Sequence, residues 1–117
     1  MANPLQPKCA KVLEQEFGAF VVIATGTSKS GIPDIVACVN EEGYDGPGNP
    51  DGDYGAFYGF EIKWGNDTPS ELQKRKINEI IDSGGKAYFI RSVEQLRKIL
   101  IDQIPPIQYD LKPKVIL

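Results

Sequence analysis

The sequence predicts an α/β domain with a central mixed β-sheet flanked by helices, in the order α-β-β-β-α-β-α. Three observations predict it. Two apolar, β-branched runs, "AFVVIAT" (19–25) and "IPDIVACVN" (32–40), read as successive strands. A third run, "FYGFEIKW" (57–64), is followed by a capped helix and then by "KAYFIR" (86–91). Such a strand-helix-strand crossover joins parallel strands, whereas hairpin turns join antiparallel ones, so one sheet must contain both pairings. With 117 residues and 41% hydrophobic content, the chain suits one compact domain with a modest core.

The elements follow in order. "KCAKVLEQEF" (8–17) predicts a short helix ended by Gly18. "AFVVIAT" predicts a buried strand, and "GTSKSG" (26–31) a loop. In "IPDIVACVN", Pro33 stands at the strand's start, where a missing donor is tolerated. Cys38 in that run is expected to be a small core residue. Residues 43–55, rich in Gly, Pro and Asp, mark a hairpin loop. Their spaced Asp45, Asn49, Asp51 and Asp53 do not fit an EF-hand, which leaves a solvated turn.

Thr68 is the expected N-cap of the next helix, with Pro69 as its first residue and Glu71 completing a capping box. That helix runs to about Ser83, and Gly84 or Gly85 ends it. Ser92 with Gln95 starts the last helix, which carries Val93, Leu96, Ile99 and Leu100. "IPPIQYDLKPKVIL" (104–117) is a tail suited to packing on the domain or on a partner.

Composition excludes several chemistries. The chain has no histidine and two cysteines far apart, Cys9 and Cys38. A Ser-His-Asp triad, a Cys-His pair and a His-bearing zinc site are therefore ruled out. A general base must be Asp, Glu, Lys, Tyr or a water on a metal. No apolar run reaches membrane-spanning length, and "MANPLQPKCAK" lacks a secretory signal's apolar core, so a cytoplasmic protein is expected. The net charge of −3 argues on its face against nucleic acid. Its distribution changes that: residues 41–53 hold five acids and no base, and without them 13 basic residues stand against 11 acidic ones. Lys74, Arg75 and Lys76 form one basic run.

The charged residues inside "FEIKW" pose the functional question. Residues two apart in a strand share a face, so Glu61 and Lys63 lie on one side and Phe60, Ile62 and Trp64 on the other. Alone, the pattern is that of a strand with one solvated face. Asp34 changes its meaning. It stands at the head of an otherwise apolar strand, where a carboxylate must be paired, hydrogen-bonded or metal-bound. If the two strands pair, Asp34 and Glu61 approach, and a divalent cation relieves their repulsion. Mg²⁺ takes oxygen ligands and needs only one or two carboxylates. Lys63 could then hold an attacking water or a phosphate oxygen. Gln73 heads an apolar stripe with Ile77 and Ile80, and either orients the site or remains a partly exposed helix-start residue.

In this order, Pro33-Asp34, then Glu61-Ile62-Lys63, then Gln73 on a capped helix followed by "SGGKAYFIRS", the motifs resemble the PD-(D/E)XK nuclease superfamily. The VRR-NUC branch, found in phage and bacterial proteins, is similar, as are Holliday-junction resolvases. The resemblance spans roughly residues 15–100. It implies a restriction-endonuclease-like fold. It implies that Asp34, Glu61 and the backbone carbonyl of Ile62 bind Mg²⁺ or Mn²⁺, that Lys63 assists the water, and that Gln73 supports the site. Relatives often carry a glutamate early in the first helix. Here Glu14 is the candidate for that role, with Glu16 as the alternative, and both stand late in the helix.

The implied activity is a metal-dependent DNA endonuclease, selective for branched DNA such as four-way junctions, acting as a homodimer with the tail 104–117 as a possible contact. Lys29, Lys74, Arg75 and Lys76 are the DNA-binding candidates. The acidic stretch 41–53 is expected to point away from the cleft. A non-catalytic DNA-binding or assembly subunit on the same fold is the alternative.

Overall fold

The computed structural model describes residues 3–24, 32–42 and 53–111. Helix α1 (Leu5–Phe17) leads into strand β1 (Phe20–Ile23), then β2 (Ile35–Glu42) and β3 (Asp53–Ile62). Helix α2 (Glu71–Asp82) crosses to β4 (Lys86–Ile90), and α3 (Val93–Asp102) closes the order. The strands lie in the order β1-β2-β3-β4. The pairs β1–β2 and β2–β3 are antiparallel, and β3–β4 is parallel. This is the predicted mixed sheet.

One face of the sheet carries the core. Leu5, Cys9 and Leu13 of α1 and Leu96, Ile99 and Leu100 of α3 pack on Ile35, Ala37 and Val39 of β2 and on Phe60 and Ile62 of β3. The rings of Tyr58, Phe60 and Tyr88 stack across β3 and β4 with centroids 5.5 to 6.2 Å apart. Gly18 closes α1 with φ +61°, a left-handed conformation that glycine adopts without penalty.

The opposite face is only half covered. Helix α2 lies over β3 and β4 and buries Ile77 there. Gly59 makes this approach possible, because a Cβ at that position would meet Ile80 at 3.0 Å and Pro33 at 3.1 Å. On this side β1 and the later half of β2 stand open, with Phe20, Val22, Cys38 and Asn40 exposed. The strand expected to be buried, β1, is instead an edge strand, with Phe20 72% and Val22 49% exposed. Cys38 is corrected in the same way. It pairs in register with Phe20 on one side and Phe57 on the other, points outward and is exposed. In both places an unbroken apolar run hides which side is covered: alternation sends every second residue to the open face.

At the far end of the β2–β3 hairpin lies a polar cluster. Glu41, although buried, accepts hydrogen bonds from Tyr58 Oη, from Tyr54 Oη at 3.1 Å and from Lys86 Nζ at 2.9 Å. Burial pushes the Glu41 carboxyl up, but the bonds from Lys86 and Tyr58 outweigh it and hold the group below its ordinary range. Of the acidic stretch 41–53, Glu41, Glu42 and Asp53 pair at this end of the strands, and residues 43–52 lie outside the described residues.

The described part of the tail is taken up by the chain itself. Tyr88 Oη donates to the Ile104 carbonyl at 2.6 Å, and Asn78 exchanges two hydrogen bonds of 2.8 Å with the Tyr109 backbone. Ile107 is an exposed residue on it. Residues 112–117 lie outside the described residues.

Candidate active site

Three sequence features converge where β2 begins and β3 ends. Ile35 of β2 pairs with Phe60 of β3, which brings Asp34 beside Glu61 and Ile62. Asp34 Oδ2 accepts a 2.8 Å hydrogen bond from the backbone N–H of Ile62. A strand-end amide that lacks a ladder partner is thereby satisfied by a carboxylate.

Alternation along β3 places the other two groups. Phe60 and Ile62 point into the core, and Glu61 and Lys63 point to the face under α2. Glu61 is 5% exposed and Lys63 4%. The predicted partner of Phe60 and Ile62, Trp64, breaks the alternation and is 52% exposed, because the strand ends at Ile62 and the chain turns through Gly65 at φ +63°.

Burial first, and then the bond and the charge of the Asp34 carboxyl, push the Glu61 carboxyl up to about 8; the Lys63 ammonium pulls it the other way. Two carboxyl groups thus meet in a poorly solvated place, where they favour a shared proton or a cation. Lys63 Nζ reaches Asp67 Oδ2 at 3.5 Å, and Asp67 is largely exposed.

Helix α2 completes the arrangement. Its N-cap is Ser70, not Thr68, and the helix begins at Glu71. Ser70 Oγ accepts from the Gln73 N–H at 3.1 Å, and Gln73 Oε1 accepts from the Ser70 N–H at 2.9 Å. The capping box is therefore real but sits two residues later than predicted, with Gln73 in the place assigned to Glu71. The free end of the same amide, Nε2, donates to Glu61 Oε1 at 3.2 Å.

The remaining candidates separate from this group. Glu14 is exposed on the later half of α1. Its neighbour Glu16 is bound by Arg97 of α3 at 2.7 and 2.8 Å. Only the beginning of α1 meets the site, through Asn3, and Glu14 lies eleven residues further on, about 16 Å along a helix. The glutamate expected from α1 is therefore not supplied by either residue. Lys74 lies over the Tyr109 ring at 5.8 Å, Arg75 pairs with Glu71 at 2.6 Å, and Lys76 pairs with Glu79 at 3.1 Å. Lys29 lies outside the described residues.

Sequence reasoning missed Asn3 and Asp67. Asn3 Nδ2 donates to the Ile62 carbonyl at 3.2 Å. The signal was present: an asparagine just before a helix start is a capping residue, and Asp67 stands four residues after Lys63.

Among the described residues, no three His, Cys, Asp or Glu side chains form a ready-made metal cluster. The oxygen donors at this end of β3 are the adjoining Asp34 and Glu61 carboxyl groups and the backbone carbonyl of Ile62, the residue whose N–H Asp34 binds. That set fits Mg²⁺ or Mn²⁺, which keep several waters and need few protein ligands, and does not fit zinc.

No family model matches the chain, and no curated protein matches it. A solved structure described as "VRR_NUC domain" is similar to it at a TM-score of 0.57 and 22% sequence identity, over 82% of this chain and 90% of that one. The chain has the fold of a VRR_NUC domain. Among the described residues, no helix is long and apolar enough to cross a membrane.

Proposed function

We propose that the protein is a Mg²⁺- or Mn²⁺-dependent DNA endonuclease. The observation that carries this reading is the convergence of half-buried Asp34 with buried Glu61 and Lys63 at the end of β3, on a nuclease-type fold. A bound divalent ion supplies a polarised phosphate and a water acidic enough to attack at neutral pH.

The chain's own residues do the rest. Asp34, Glu61 and the Ile62 carbonyl would hold the ion, whose positive charge would offset the repulsion between the two carboxylates with Glu61 ionised. Lys63 supplies fixed positive charge to the attacking oxygen and the charge developing on the phosphate. Gln73 holds the Glu61 carboxylate in one orientation, because its own amide is fixed by Ser70.

Branched DNA, such as a four-way junction, is the favoured substrate. The active form is a homodimer. With residues 104–111 packed on their own chain, we assign the contact to the open half of the sheet, where Phe20 and Val22 of β1 and Phe57 of β3 stand exposed on either side of β2. A two-fold pair presents two identical sites, as two-strand cleavage requires.

The test uses labelled linear, nicked, flap and four-way-junction DNA with purified protein in Mg²⁺, Mn²⁺ or EDTA, beside Asp34→Ala. Metal-dependent cleavage that Asp34→Ala abolishes is the expected result. Binding without cleavage in both metals would show a non-catalytic subunit. Preferential cutting of linear duplex would remove the junction preference while leaving the nuclease.

A further inference from the structure

The peptide unit joining Ile62 to Lys63 is held at both ends. Its N–H, that of Lys63, donates to the Ile90 carbonyl of β4 at 2.8 Å. Its carbonyl, that of Ile62, the last residue of β3 to pair with β4, accepts from Asn3 Nδ2 at 3.2 Å across 59 positions of sequence. The preceding amide, that of Ile62, donates to Asp34. Asn3 is in turn fixed to its own helix, because its Oδ1 accepts from the Leu5 N–H at 3.0 Å. One side-chain amide therefore ties the start of α1 to the peptide plane between a site carbonyl and the site lysine. A carbonyl oxygen has two lone pairs, so the bond from Asn3 leaves one for a cation.

We propose that Asn3 is a positioning residue of the metal site, fixing the direction in which the Ile62 carbonyl faces the divalent ion. This rests on the nuclease reading, in which that carbonyl is a ligand. Groups that orient a ligand commonly change metal affinity by about tenfold or more when removed. Capping and positioning are separable here. Serine retains an acceptor for the Leu5 N–H but is too short to carry a donor to Ile62. Glutamine retains the donor amide.

Mn²⁺ binding to the 117-residue chain, with any tag kept off the N-terminus, is titrated calorimetrically for wild type, Asn3→Ser and Asn3→Gln. Titrations are run well below each protein's unfolding temperature, which is measured in EDTA. Asn3→Ser is expected to lose about tenfold in Mn²⁺ affinity while its metal-free unfolding temperature stays near that of the wild type, and Asn3→Gln to keep more of the affinity. Wild-type affinity in Asn3→Ser would overturn the role of Asn3 and leave the nuclease reading standing. So would equal losses in both variants that follow their loss of thermal stability. A wild type that binds no Mn²⁺ would remove both.

Discussion

Gln73 donates from Nε2 to Glu61 at 3.2 Å while its Oε1 is held by the Ser70 amide at 2.9 Å. The helix start thus dictates which end of the side-chain amide faces the acid. Gln73→Ala removes half of the capping box and the bond to Glu61, and is expected to cost about 1 kcal/mol of stability with a clear loss of cleavage. Gln73→Glu keeps an acceptor for Ser70 but sets a carboxylate against Glu61. Its denaturation midpoint should fall further below the wild type at pH 8 than at pH 5. An equal deficit at both values would mean that Gln73 does not sense the charge of Glu61.

The raised Glu61 carboxyl gives a pH prediction of definite sign. In the unfolded chain it titrates near 4.5 and in the fold near 8, so between those values the folded state holds the extra proton. Its contribution to stability is fully present below pH 4.5 and is lost as pH rises towards 8. Thermal unfolding in EDTA should therefore occur at steadily lower temperature across that range. Glu61→Gln should flatten the profile, and saturating Mg²⁺ should do the same in the wild type by taking the proton's place. Identical slopes in wild type and Glu61→Gln would count against the assignment.

Lys63 is buried, pairs with Asp67 at 3.5 Å, and its ammonium acts on the Glu61 carboxyl. Lys63→Met keeps the aliphatic stem and removes the charge. Cleavage by this variant is expected to drop by about a hundredfold or more, with little change in unfolding temperature. Arginine should not restore activity, because its planar fork differs from a compact ammonium in shape. Single-turnover cleavage rates measure this, and a rate near wild type for Lys63→Met would remove the lysine from the chemistry.

The open half of the sheet predicts the oligomer. Phe20→Lys places a charge within the assigned contact, on the edge strand, at a residue 72% exposed and outside the core. Light scattering should show the wild type as a dimer and the variant as a monomer, with unfolding free energies within about 0.5 kcal/mol after allowance for association. A monomeric wild type at high concentration would refute the dimer.

Much of this was legible in the sequence, for identifiable reasons. The order of elements followed from apolar runs and cap signals, and Glu61 and Lys63 announced themselves as charges in a strand. Asp34 was legible because a carboxylate at the head of an apolar run needs a partner. What stayed hidden depended on which elements meet. An apolar run does not show that α2 covers only two strands, so β1 and Cys38 read as buried. The capping residue shifted from Thr68 to Ser70 because both precede an acceptor at the right spacing, and only backbone geometry separates them. Asn3 and Glu14 traded importance because a helix pattern does not reveal which end abuts the sheet.

The Glu41 cluster has a practical consequence. Its carboxyl is held below the ordinary range, so its stabilising bonds are lost in acid, while Glu61 destabilises the metal-free fold as the solution becomes neutral. These two acids together make the apo fold tightest in mildly acidic buffer. That is also where the chain, with a pI near 4.9, carries least charge to keep copies apart, and its open sheet face is then least protected from self-association. Conformational and colloidal stability therefore pull towards different buffers. A divalent ion at neutral pH reconciles them, by stabilising the ionised site where the net charge is high enough to keep the protein in solution.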